Sequence, residues 1–140
     1  MVKNSIILEI EKLLDNKKIL DYNILSDSFG INCLKIETED KKQYIVKYYY
    51  KKEGGFNAIK SEADNILFLN SHKFNFFPKI INNNNKFLIM SFIDNNNYLP
   101  NKTNDDLLDT IISLHSKKSI NYGFSFDTQI GGLKQPNYHA

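Results

Sequence analysis

Tyr44-Ile45-Val46-Lys47-Tyr48-Tyr49-Tyr50 is a run of β-branched and aromatic residues with one charge at its centre. Such a composition suits a strand packed within a sheet. Lys47 stands where that pattern calls for an apolar side chain. A second exception follows shortly. Residues 56–71 carry a helical period, and at about 100° per residue Ile59, Ala63, Ile66, Leu67 and Leu69 share one arc. Glu62 falls inside that arc. A charge on an apolar face is costly unless it is paired. Opposite charges on a strand and on the helix after it predict one ion pair between Lys47 and Glu62. A plainer account also fits the pattern: Lys47 snorkels from an edge strand and Glu62 marks the border of the stripe.

The rest of the chain supplies a core for these elements. It has 140 residues, 41% of them hydrophobic and 13% aromatic, which suits one globular domain rather than a disordered chain. A net charge of +2 is too small to point to nucleic acid or to an anionic membrane. The single cysteine, Cys33, excludes an internal disulfide and fits a reducing compartment. No apolar run approaches the roughly 18 residues that a membrane span requires. The N-terminal pattern is broken by Glu9, Glu11 and Lys12 and does not read as a signal peptide. A cytoplasmic protein is expected, with no membrane or nucleic-acid partner. The asparagines at 82–85 and 95–97 read as turns, since asparagine tolerates left-handed backbone and bonds its own main chain.

Working outward from the central strand, residues 4–20 predict a first helix, capped by Ser5, with Ile6, Ile10, Leu13 and Leu14 on one face. Ile24-Leu25 and residues 31–38 are strand-like, and Ser26-Asp27-Ser28-Phe29-Gly30 is the turn between them. Glu39-Asp40-Lys41 closes a hairpin onto residues 44–50. A loop bearing Gly54 and Gly55 leads to the helix. Two further strands are expected at 79–81, after Pro78, and at 86–93. The order predicts an α+β fold: a small antiparallel sheet carrying one inserted helix. Beyond Asp94 a polar linker precedes a second amphipathic helix, capped by Thr103 or Asn104 and bearing Leu107, Leu108, Ile111, Ile112 and His115. Residues 122–137 show neither helical nor strand period and read as an irregular segment.

That segment carries a resemblance. Tyr122-Gly123-Phe124, Phe126-Asp127-Thr128, Ile130-Gly131 and Gln135-Pro136-Asn137 resemble a signature of the fructosamine kinase family, in the aminoglycoside-phosphotransferase-like branch of the protein-kinase fold. They follow Lys47, Glu62, Met90-Ser91-Phe92-Ile93 and Leu114-His115 in the order expected of that family. The resemblance implies a kinase-like N-lobe at residues 1–94, with 95–140 as a linker and the start of a C-lobe. It implies that Lys47 contacts ATP phosphates with Glu62 as its helix partner. Met90, Ser91, Phe92 and Ile93 would be the hinge against the adenine edge. The turn with Gly30, Ile31 and Asn32 would lie over the phosphates, whose oxygens accept from backbone amides in such turns. ATP and Mg²⁺ are the implied cofactors, and a glycated amine is the implied acceptor.

The chain departs from the family pattern at two places. Ser28 and Phe29 stand where members commonly carry a Gly-Gly pair. The histidine-glycine-aspartate base motif and the metal-binding aspartate would fall after Ala140, so a fragment with little or no activity of its own is expected, with possible self-association at its end. Another aminoglycoside- or choline-kinase-like phosphotransferase, or a non-catalytic nucleotide- or protein-binding remnant, remains an alternative. His72, His115 and His139 share no metal-ligand spacing. Cys33 reads as a small core residue. A redox role, known for glycine-loop cysteines in parts of the family, would need a cysteine in the turn where Gly30 stands. The Tyr48–Tyr50 run reads as sheet packing.

Overall fold

The computed structural model describes residues 1–51, 57–72, 74, 76–95, 105–118, 120, 127–130 and 133–137. Strands β1 (Ile19–Ser28), β2 (Ile31–Thr38), β3 (Gln43–Tyr49), β4 (Ile80–Asn83) and β5 (Phe87–Ser91) form one antiparallel sheet in the order β1-β2-β3-β5-β4. Helix α1 (Asn4–Leu13) precedes the sheet, α2 (Ala58–Ser71) is inserted between β3 and β4, and α3 (Asp105–His115) follows β5. A separate hairpin pairs β6 (Thr128–Ile130) with β7 (Leu133–Gln135). This is the α+β sheet with one inserted helix that the sequence predicts.

Strand period two divides the core between the sheet's faces. On one face Leu34, Ile36, Tyr44, Val46, Tyr48, Phe87 and Ile89 pack against Val2, Ile10 and Leu14 at α1. On the other, Tyr49, Leu88 and Met90 pack against Ile59, Ala63 and Ile66 of α2, with Ile31 and Ile45 alongside. Lys47 alternates with Val46 and Tyr48 and therefore points to the α2 face. β3 pairs with both β2 and β5, so Lys47 lies on a central strand. The edge-strand account of this lysine is thereby excluded.

Several elements differ from the sequence-based expectation. The first helix ends at Leu13 and not near residue 20, because Asp15 and Asn16 take positive φ angles of 58° and 64° and turn the chain into β1. Lys3 occupies the cap position in place of Ser5, without a side-chain bond. β1 extends to Ser28, so the expected five-residue turn contracts to Phe29-Gly30, at φ 52° and 74°. Asn82 and Asn83 belong to β4, and the turn proper is made by Asn84, whose Oδ1 accepts from the amides of Lys86 and Phe87 at 2.8 Å each. Leu67 is exposed rather than on the buried arc of α2. Part of the segment expected to be irregular is the β6–β7 hairpin. Gly54, Gly55, Phe56, Thr103, Asn104, His139 and residues 122–126 and 131 lie outside the described residues.

Candidate functional site

The site begins with the pair that the sequence singles out. Lys47 Nζ stands 2.6 Å from Glu62 Oε1 and 2.8 Å from Oε2, so the ammonium bridges both carboxylate oxygens. The two side chains keep 28% and 36% of their surface exposed. Pairs this open to water contribute about 0.2–1 kcal/mol. Fold stability is therefore a weak reason for placing two charges on an apolar face.

Helix α2 is fixed to the lysine's strand at its first turn. The amide of Ala58 donates to the hydroxyl of Tyr49, two residues beyond Lys47, at 2.8 Å. Asn57 caps the helix by accepting from the amide of Lys60 at 3.0 Å, and its Nδ2 donates to the Asn85 carbonyl at 2.9 Å. Two of the helix's orphan N–H groups are thus satisfied by residues that also set its position. Ile59, Ala63 and Ile66, on the same arc as Glu62, bury the adjoining part of these turns against β5. Glu62 is left facing the lysine.

A cleft of about 300 Å³ opens beside the pair, at the small end of ligand sites and sized for part of a ligand. Ser26, Ser28 and Phe29 form its roof, Ile31, Cys33 and Lys47 its sheet wall, and Ala58, Ser61, Glu62 and Asn65 its helix wall, with Thr128 of β6 completing it. One ammonium and several hydroxyl and amide groups converge there, a donor set suited to anionic oxygens. Burial pushes the Cys33 thiol up, against the lowering pull of the Lys47 charge. Cys33 lines the cleft and is only half-buried, which corrects its reading as a core residue.

The other sequence-predicted residues are not gathered equally. Ile31 lines the cleft. Asn32 is in β2 rather than in the turn, and its side chain points to the α1 face, where Nδ2 donates to the Tyr48 hydroxyl at 3.1 Å. Gly30 has its carbonyl committed to the amides of Tyr50 and Lys51, at 3.0 and 3.3 Å, and it fixes the turn's shape rather than lining the cleft. Met90 is buried beside α2, and Ser91 ends β5 with its amide donating to the Lys79 carbonyl at 2.9 Å. Phe92 donates its amide to the Gln43 carbonyl at 3.3 Å, and the Lys35 ammonium sits 3.9 Å over its ring. Ile93, next along, is exposed. Ser28, Ser61, Asn65 and Thr128 were not anticipated as site residues. For Ser61 and Asn65 a signal existed: spaced four apart, they put polar groups beside Glu62 on one helix face.

The sequence model of the fructosamine kinase family matches residues 6–140. The chain belongs to that family. Its fold is also that of two solved structures. One is named a "putative fructosamine-3-kinase" from Thermobifida fusca YX-ER1, with a TM-score of 0.75 at 16% identity, over 99% of this chain and 48% of that one. The other bears the same name and comes from Haemophilus somnus 129PT, with a TM-score of 0.71 at 19% identity, over 96% of this chain and 46% of that one. The chain thus spans about half the length of the solved structures it matches. No curated protein sequence matches it.

In this fructosamine kinase family member, the described part of the signature closes on itself. Asp127 accepts from the Asn137 amide at 3.0 Å and from Lys134 Nζ at 2.7 Å. Those contacts, the lysine's first, hold its carboxyl below the usual range. Asn137 Nδ2 donates to Thr128 Oγ1 at 3.0 Å and to the Gln135 carbonyl at 3.2 Å, and the Thr128 hydroxyl donates to Gln135 Oε1 at 3.1 Å. Among the described residues, no group of three or more His, Cys, Asp or Glu is placed to hold a metal ion. No described helix is long and apolar enough to cross a membrane.

Proposed function

We propose that this chain forms the nucleotide-binding part of an ATP-dependent small-molecule kinase. The observation that carries the reading is the two-oxygen contact of Glu62 with Lys47, on a central strand and at the wall of an open cleft. In this reading the Lys47 ammonium holds phosphate oxygens, and Glu62 keeps that ammonium aimed at the cleft. The Ser26 and Ser28 edge of the β1–β2 hairpin covers the phosphates. At Ser28 this puts a hydroxyl donor at one of the two places where the family commonly carries paired glycines. Met90 and the strand end through Ile93 border the adenine, with the Ser91 and Phe92 amides already committed to the sheet.

Membership of the fructosamine kinase family supports a glycated amine as the acceptor, phosphorylated on a sugar hydroxyl. Mg²⁺, when bound, would neutralise phosphate charge. Among the described residues no group of three or more His, Cys, Asp or Glu is placed to hold it, and it has no assigned place in this chain. Residues 1–94 act as the nucleotide-binding lobe, and residues 95–140 lead from it into the second. Leu107, Leu108, Ile111 and Ile112 stay exposed along α3, which supports self-association through that face. A reducing, cytoplasmic setting suits the single unpaired Cys33.

Titration of the 140-residue chain with a fluorescent ATP analogue tests the reading. Saturable binding should weaken at least about tenfold in Lys47→Ala, the loss of one desolvated charge-assisted contact to phosphate. Binding unaffected by Lys47→Ala would refute it.

A further inference from the structure

The signature hairpin is the part of the molecule that the nucleotide reading leaves without work. Its described side chains bond to one another: Asp127 pairs with Lys134 and the Asn137 amide, and Thr128, Gln135 and Asn137 share three hydrogen bonds. It is also docked. The Ser61 hydroxyl donates to the Asp127 carbonyl at 3.4 Å, Ser61 is buried, and Thr128 stands in the cleft with Lys47 and Glu62. Ser61 immediately precedes Glu62. Ser61 lies away from the apolar side of α2 that packs on β5, on the side where the Asp127 carbonyl of the hairpin meets it.

We propose that the Asp127–Asn137 hairpin is a strut that presses on α2 at Ser61 and thereby sets how Glu62 meets Lys47. Asp127 and Asn137 are positioning residues: they touch neither the lysine nor the glutamate. The ties at Ala58 and Asn57 fix where α2 begins, and the one at Asn70, whose Nδ2 donates to the Pro78 carbonyl at 3.0 Å, fixes where it ends. The contact at Ser61 acts with the packing of Ile59, Ala63 and Ile66 on the rotation of the turn that carries Glu62. A helix turns about 100° per residue, so a small rotation there swings the carboxylate off the ammonium. The functional meaning rests on the nucleotide reading: the hairpin sets phosphate affinity by aiming Lys47.

A merely stabilising hairpin and a strut make different predictions for a double-mutant cycle on Lys47→Met and Glu62→Gln, read by thermal denaturation of the full chain. In the wild-type background the two substitutions should be non-additive. In an Asn137→Ala background that non-additivity should be lost, and the fluorescent ATP analogue should bind more weakly. Ser61→Ala repeats the test if Asn137→Ala fails to fold, and Ser61→Thr, which keeps the hydroxyl, should restore the coupling. A hairpin that only stabilises would lower every melting temperature equally and leave the coupling intact, which overturns the strut. Additivity already in the wild-type background also overturns it. Coupling lost with the hairpin broken, in a chain that binds no nucleotide at all, keeps the strut and removes the nucleotide reading.

Discussion

Replacing Gly30 should destabilise the chain by an amount that the turn's geometry sets. Its φ of 74° lies in left-handed territory, and a β-carbon built on it would lie 1.9 Å from the backbone oxygen of Lys51. The same glycine's carbonyl accepts from the amides of Tyr50 and Lys51. Relieving the clash therefore means parting the turn from the end of β3. The left-handed conformation costs an alanine roughly 1–2 kcal/mol, and each lost hydrogen bond about 0.5–1.5 kcal/mol, which sums to roughly 2–5 kcal/mol. For a chain of this size, that lowers the melting temperature by roughly 6–20 °C. Circular dichroism melts of Gly30→Ala and Gly30→Asn provide the assay. Asparagine tolerates left-handed backbone, so a purely conformational penalty would let it recover most of the loss. The contact with Lys51 predicts that it melts as low as the alanine variant. A Gly30→Ala chain that melts with the wild type would refute the reasoning.

Other consequences can be checked separately. The Lys17 ammonium first and the Thr38 hydroxyl second hold the Asp40 carboxyl at about 2 rather than 3.8. A folded-state pKa that is lowered gives stability present above the unfolded value and lost as pH falls through the folded one. Asp40→Asn should therefore melt below the wild type at neutral pH, with the gap closing between about pH 4 and pH 2; a gap unchanged at pH 2 would contradict the assignment. Leu34 is fully buried against α1, so Leu34→Ala should cost about 2–5 kcal/mol in urea denaturation. None of the residues of α3 is buried, so its amides should exchange far faster than those of β3 and β5; equal protection would show that α3 has a partner in solution. The 140 residues contain no histidine-glycine-aspartate motif, so with ATP, Mg²⁺ and a glycated lysine they should show no turnover above Lys47→Ala.

The sequence was most readable where two constraints coincided. β3 and α2 each showed a clear period with one charged exception, and opposite exceptions on adjacent elements leave the chain one inexpensive arrangement, the pair of Lys47 and Glu62. It was least readable where a period ran across a boundary. Leu13, Leu14 and Leu20 continue an apparent helical stripe, yet Asp15 and Asn16 reverse the backbone and leave Leu20 exposed on an edge strand. Their tolerance of left-handed φ was the available signal. β6 and β7, at three residues each, are too short to display an alternation, and their order comes from the side chains of Asp127, Thr128 and Asn137, which no hydrophobic pattern records. The place of the Ser26 and Ser28 hydroxyls at the cleft is hidden in the sequence for a related reason. A hydroxyl on an edge strand is ordinary until the fold shows what lies beneath it.

Lys47, held by Glu62, is expected to face a phosphate when ATP binds. Two-dimensional NMR of the isotope-labelled chain, titrated in parallel with ATP and with adenosine, tests it most directly. ATP should move the signals of Lys47, Glu62, Ser28 and Cys33 around the cleft, while adenosine moves only those near Met90 and Ile93. Identical shifts with both ligands, or ATP shifts confined to residues away from the Lys47–Glu62 pair, would contradict the claim.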